Sequence, residues 1–144
     1  MIQTGAPMTC TAFWKDILNE VTDMAINSKK KGKDGELEVC RLCKSEGYEV
    51  HRTAQYCGNN EEGAADCFGL PGIHIEVKRV EHLNIDDALD QATRDAAKTD
   101  KSLPAVFHRR NNTKWKVTMD AHDWFQLFRE YDASRRLANE KENI

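Results

Sequence analysis

The stretch Ile73-His74-Ile75-Glu76-Val77-Lys78-Arg79-Val80 constrains the fold of this chain most. It is β-branched and alternating, which reads as a central strand. Pro71-Gly72 precedes it as a turn, and Ala65–Leu70 before that reads as a short strand. Side chains alternate faces along a strand, so Glu76 and Lys78 point one way, with His74, while Ile75 and Val77 point the other. A hairpin through Pro71-Gly72 brings Asp66 beside Glu76. Two carboxylates and one ammonium then converge on one spot.

That set has a chemical logic. Hard divalent ions such as Mg²⁺ take oxygen ligands and keep several waters. Asp66 and Glu76 offer two carboxylates, and the Val77 carbonyl offers a third ligand. A bound metal lowers the pKa of its water and stabilises charge on a phosphate in flight. Lys78 is suited to placing the attacking water or neutralising the transition state. The three residues together suit phosphodiester hydrolysis. The alternative is plain: a Glu-x-Lys pair on a strand also serves as a surface ion pair worth a few tenths of a kcal/mol.

The rest of the pattern places helices and further strands around this unit. Phe13, Trp14, Ile17, Leu18, Val21, Met24 and Ala25 recur at spacings of three and four, predicting an amphipathic helix to about Asn27. Ser28–Gly35, rich in lysine and glycine, reads as a linker. A second helix fits Gly35–Glu46, with Gly47 as its stop. Tyr48–Thr53 reads as a strand, Cys57–Gly63 as a loop, and Asn84–Lys98 as a helix capped by Asn84 or Asp86. Leu103–His108 and Trp115–Met119 read as strands joined by a hairpin over Arg109–Lys114, and Asp120–Tyr131 as a closing helix. Met1–Met8 reads as a leader and the last dozen residues as a frayed, charged tail. The expected organisation is a leader and helix over 1–28, one catalytic domain over 29–133 and a tail over 134–144. A mixed sheet flanked by helices is the architecture this order implies. The 144 residues, 40% of them apolar and 31% charged, suffice for one domain with a core. No run approaches the 20 or so apolar residues of a membrane span, and Met1–Thr9 lacks a signal-peptide pattern, so a cytoplasmic setting is expected.

On the second helix, Glu36 precedes Val39, Cys40 and Cys43 by three, four and seven residues and so shares their apolar face. A carboxylate there is costly unless paired or metal-bound, which makes it a candidate for the site. Glu38 falls with Arg41, Leu42 and Ser45 and reads as solvated. The five cysteines are odd in number and irregular in spacing, which argues against a disulfide framework. Cys40-x-x-Cys43 looks like half a zinc site but has no second half. His51, His74 and His82 lack zinc-ligand spacing; His74, on the Glu76 face, is left a minor site role.

The run Gly32-Lys33-Asp34-Gly35-Glu36-Leu37-Glu38, then Glu46-Gly47-Tyr48 and Arg52-Thr53, resembles the start of archaeal-type Holliday junction resolvases. Asp66 and Glu76-Val77-Lys78 stand where the PD-(D/E)XK signature of that superfamily of nucleases lies. Gln55-Tyr56-Cys57-Gly58, Gly69-Leu70-Pro71-Gly72-Ile73, Gln91-Ala92 and Pro104–Arg109 look closer still to phage-encoded members. The resemblance covers about residues 29–131 and leaves out the first helix. It implies a restriction-endonuclease-like α/β fold with an extra N-terminal helix. It implies a Mg²⁺-dependent endonuclease, with Mn²⁺ able to substitute, that resolves branched DNA in recombination and repair. Glu36 would help hold the metal or its water, Asp66 and Glu76 would ligate it, Lys78 would be the catalytic lysine, and Gln91 would orient the site or the DNA. Ala65 departs from the usual proline, and the Tyr56-Cys57-Gly58 loop replaces a serine-glycine stretch.

The resemblance also implies a homodimer, since a four-way junction has two-fold symmetry and paired cuts need two related sites. The net charge of −3 does not advertise nucleic-acid binding, but its distribution allows it. Lys29, Lys30, Lys31, Lys33, Arg52, Arg79, Arg109, Arg110 and Lys114 are candidates for phosphate contacts, against the alternative of a solvated surface. Trp124 and Phe125 read as core or interface rather than base-stacking groups. A nuclease acting on flaps, nicks or duplex, and a DNA-binding protein without cleavage, stand as the other readings.

Overall fold

The structure, a computed structural model, describes residues 10–53, 64–99 and 101–143. Its elements run α1 (Cys10–Ser45), β1 (His51–Arg52), β2 (Cys67–Phe68), β3 (Ile73–Arg79), α2 (Ile85–Lys98), β4 (Leu103–Arg109), β5 (Lys116–Thr118) and α3 (Ala121–Glu142). The five strands form one sheet in the order β1-β2-β3-β4-β5. Of these pairs β3 and β4 run parallel, and the others are antiparallel. The chain is therefore an α/β protein with a mixed central sheet flanked by helices, as expected. The leader and the Gln55–Gly58 and Cys57–Gly63 segments lie outside the described residues.

The alternation of β3 is resolved by burial on both faces. Ile75 and Val77 pack with Val39, Cys40 and Cys43 of α1, together with Val50, Cys67, Ala105 and Phe107. On the opposite face, Ala88 and Ala92 of α2 pack on Val106. Small residues at helical spacing let α2 lie close to the sheet, and Asn84 caps it by accepting the Asp87 amide at 3.2 Å. Cys40 and Cys67 are buried with sulfurs 3.6 Å apart, and burial pushes the Cys43 and Cys67 thiols up. All three are free cysteines that serve as buried packing groups.

The turn at Pro71-Gly72 forms as expected. Ile73 donates its amide to the Leu70 carbonyl at 3.2 Å, and Gly72, at φ +75°, occupies the position of a type II turn that requires positive φ. Gly69, at φ +125°, packs so tightly that a Cβ there would collide with the Glu49 carbonyl. These two glycines bring the β2 end of the chain back along β3.

Two helices differ from expectation. The Ser28–Gly35 linker is helical, and α1 runs unbroken for 36 residues through the expected boundary near residue 28. Lysine is a good helix former, and the two glycines cost only about 1 kcal/mol each once helix exists on both sides. Gly35 also faces inward, so its missing Cβ makes room for Arg79. Before residue 31 the helix leaves the sheet: Phe13, Trp14, Leu18, Val21 and Met24 are exposed. α3 likewise continues through the expected tail to Glu142 and buries none of its residues. Trp124 and Phe125 are therefore not core residues; Trp124 stacks on Phe128 and Phe125 meets both rings edge-on, on an open helix face. Among the described residues, no helix is long and apolar enough to cross a membrane.

Candidate functional site

The centre of the molecule is the β2–β3 pairing. Cys67 of β2 pairs with Ile75 of β3, and Asp66, in the bend just before β2, donates its amide to the Ile75 carbonyl at 2.9 Å, which sets it close to Glu76. The Asp66 carboxylate turns toward β3 and accepts the Val77 amide at 2.7 Å. Burial and the nearby Glu76 carboxylate push Asp66 up to about 7, the Val77 amide pulls it back, Glu36 raises it and Lys78 lowers it. Glu76 is 3% exposed, and its Oε1 lies 2.8 Å from Lys78 Nζ. Lys78 Nζ also donates to Gln91 Oε1 at 3.2 Å, so α2 holds the ammonium beside the two carboxylates. His74 lies on the same face, fully buried, with Nε2 unpaired among the described residues.

Asp66, Glu76, Lys78 and Gln91 are thus brought together from the bend before β2, from β3 and from α2. Glu36 is near enough to raise Asp66, but its carboxylate is committed to an ion pair with Arg52. What Val77 gives the site here is its amide, which orients Asp66. Among the described residues, no three His, Cys, Asp or Glu side chains gather to hold a metal ion. The donor set is instead one partly buried and one buried carboxylate that repel each other, with the Lys78 ammonium 2.8 Å from Glu76. Such a pair fits one hard divalent cation, which would relieve the repulsion that lifts Asp66.

The expected phosphate-contact residues divide. Arg52 is taken by Glu36. Arg79 and Arg109 are taken by Glu38, whose Oε1 lies 3.1 Å from Arg79 Nη1 and whose Oε2 accepts from Arg109 Nη2 at 2.7 Å and Nε at 2.9 Å. Trp115 Nε1 donates to the same oxygen at 3.2 Å. Glu38 is therefore no solvated residue; it ties α1 to the ends of β3 and β4 and to β5's approach. Sequence reasoning missed this because its partners lie up to 77 residues away. Lys31 pairs with Glu81 at 3.6 Å, whereas Lys29, Lys30, Lys33, Arg110 and Lys114 stay exposed on the surface.

No protein-family model matches the chain, and no curated protein matches it. Among solved structures, the chain is similar to Hjc of Archaeoglobus fulgidus, a Holliday junction resolvase from an archaeal hyperthermophile. The two are 19% identical with a TM-score of 0.48, over 61% of this chain and 76% of that one.

Proposed function

We propose that this chain is a divalent-metal-dependent DNA endonuclease that acts on branched DNA, in the manner of Holliday junction resolvases, as a homodimer. The observation that carries the reading is the placement of Asp66 close to Glu76, both withdrawn from water, with Lys78 paired to Glu76 on the same face of β3. Two like charges so close are costly without a cation, and natural sequences keep such costs at working sites. Asp66 and Glu76 would hold the metal. When bound, the metal supplies a nucleophilic water at neutral pH and charge stabilisation on the phosphate. Lys78 would bring its ammonium to a phosphate oxygen or to the incoming water. Gln91 is a positioning residue, because it holds Lys78 through a hydrogen bond. The Val77 amide fixes one oxygen of the Asp66 carboxylate against β3. The preference for branched DNA and the two-fold assembly rest on the sequence motifs, and the chemistry rests on the site.

One assay separates the readings. Labelled four-way junction, flap and linear duplex are incubated with Mg²⁺ and, in parallel, with EDTA. Symmetric nicks confined to the junction and lost in EDTA are expected. Equal cutting of all three moves the substrate to DNA in general. Binding without cutting, unchanged in Asp66→Asn, sinks the enzymatic reading and leaves a DNA-binding protein.

A further inference from the structure

The strand register carries one consequence beyond the catalytic residues. Lys78 of β3 stands beside His108 of β4, and His108 stands opposite Lys116 of β5. Directly paired residues share a face, so Lys78, His108 and Lys116 form a row across three strands on the Glu76 side of the sheet. Neighbouring strands lie about 4.8 Å apart, so the row spans roughly 10 Å from Lys78 to Lys116. It leads into an open cleft of about 550 Å³ at the ends of the parallel strands, lined among others by His82, Asn84, His108, Arg110 and Lys116. The cleft's charges are unevenly used. Arg109 in its wall is held by Glu38, and Glu81 is held by the Asn111 amide at 2.8 Å and by Lys31. Arg110 and Lys116 are exposed, and among the described residues neither side chain has an ion-pair partner. His108 Nε2 lies 2.9 Å from the Thr118 hydroxyl, and Lys116, its partner across β4 and β5, lines the same cleft.

The geometry points to this cleft as the track for the backbone of the strand being cut. It would receive the phosphodiesters that flank the one at Lys78, with Arg110 and Lys116 as the charge contacts. The assignment rests on the nuclease reading and sharpens it, because it gives the strand a direction: across β3, β4 and β5 at the carboxyl ends of the parallel pair. Contacts of this kind track backbone and carry no sequence information.

The test measures binding of the full chain to labelled four-way junction and to duplex, in Ca²⁺, over a series of NaCl concentrations. The Arg110→Ala/Lys116→Ala variant should bind about 10-fold or more weakly at low salt. Its log–log salt slope should be shallower by roughly 1 to 2, by a similar amount on each DNA sequence. The charge-retaining Arg110→Lys/Lys116→Arg variant should restore the slope, and Lys141→Ala on α3 should leave it unchanged. A double alanine variant with the wild-type unfolding midpoint and an unchanged slope overturns the track, while wild-type cleavage in the same preparation leaves the nuclease reading standing. A wild-type chain that neither binds nor cuts DNA fails both. Inorganic phosphate at constant ionic strength separates a polymer track from a free-phosphate pocket. No displacement of DNA by millimolar phosphate is expected. Saturable phosphate binding that displaces DNA and is lost in the double variant overturns the assignment.

Discussion

Replacing Asp66 by asparagine should make the metal-free protein more stable at pH 8. The carboxyl stands at about 7 in the folded chain against an ordinary 3.8. Between those values the folded chain holds a proton that the unfolded chain has released. Stability is therefore fully present below about pH 4 and falls as pH rises through 7. An interval of about three pH units corresponds to about 4 kcal/mol, an upper value because Asp66 is only partly buried. The asparagine side chain would keep an oxygen to accept the Val77 amide and carry no charge to oppose Glu76. Urea unfolding in EDTA, followed by tryptophan fluorescence, should show the Asp66→Asn protein within about 1 kcal/mol of wild type at pH 4.5. At pH 8 it should be roughly 2–4 kcal/mol more stable. Millimolar Mg²⁺ should raise the wild-type melting temperature at pH 8 and leave the variant unmoved, since binding to the folded state stabilises by mass action. A variant that is less stable at pH 8, or a difference that ignores pH, refutes the view that two opposed carboxylates strain this site.

Other changes have distinct signatures. Glu38→Ala leaves two largely buried guanidiniums without a counter-charge and should cost about 3 kcal/mol in urea unfolding, with Glu38→Gln costing less. Gly69→Ala forces a Cβ into the Glu49 carbonyl at a positive φ, so a drop of more than about 2 kcal/mol, or loss of soluble protein, is expected. Gln91→Ala frees Lys78 from α2 and should lower the single-turnover nicking rate about 10-fold while junction affinity holds; an unchanged rate argues that Lys78 is held by Glu76 alone.

The site was legible where the pattern was local. Parity along β3 placed Glu76 with Lys78, and Pro71-Gly72 placed Asp66 against them. Asn84 was legible as a cap because its side chain acts three residues away. Three things were not legible. Lysines and glycines in sequence suggested a break at Ser28–Gly35, yet helix propagates through them because both flanks are helical. The face of Glu38 looked polar, and its polar character is real, but the partners come from strands whose positions no spacing rule gives. The Lys78–His108–Lys116 row depends on the register of β3, β4 and β5, which is set by packing across the sheet. Glu36 faces inward as expected, near enough to raise Asp66, and the group it pairs with there is Arg52.

The two halves of α1 stand in different thermodynamic positions. At 1.5 Å per residue the helix is about 54 Å long, and only its later half rests on the sheet. A free helix of some 18 residues is marginal in water because the first turn is costly to form. Here the sheet-bound half provides that first turn, and the free half only has to extend it. Its amide protection should therefore rise in a gradient from Cys10 toward Val39. On warming, the helix should shorten from its amino end well before the sheet melts, so the molecule's reach contracts by degrees while the sheet and the carboxylates beside it stay folded.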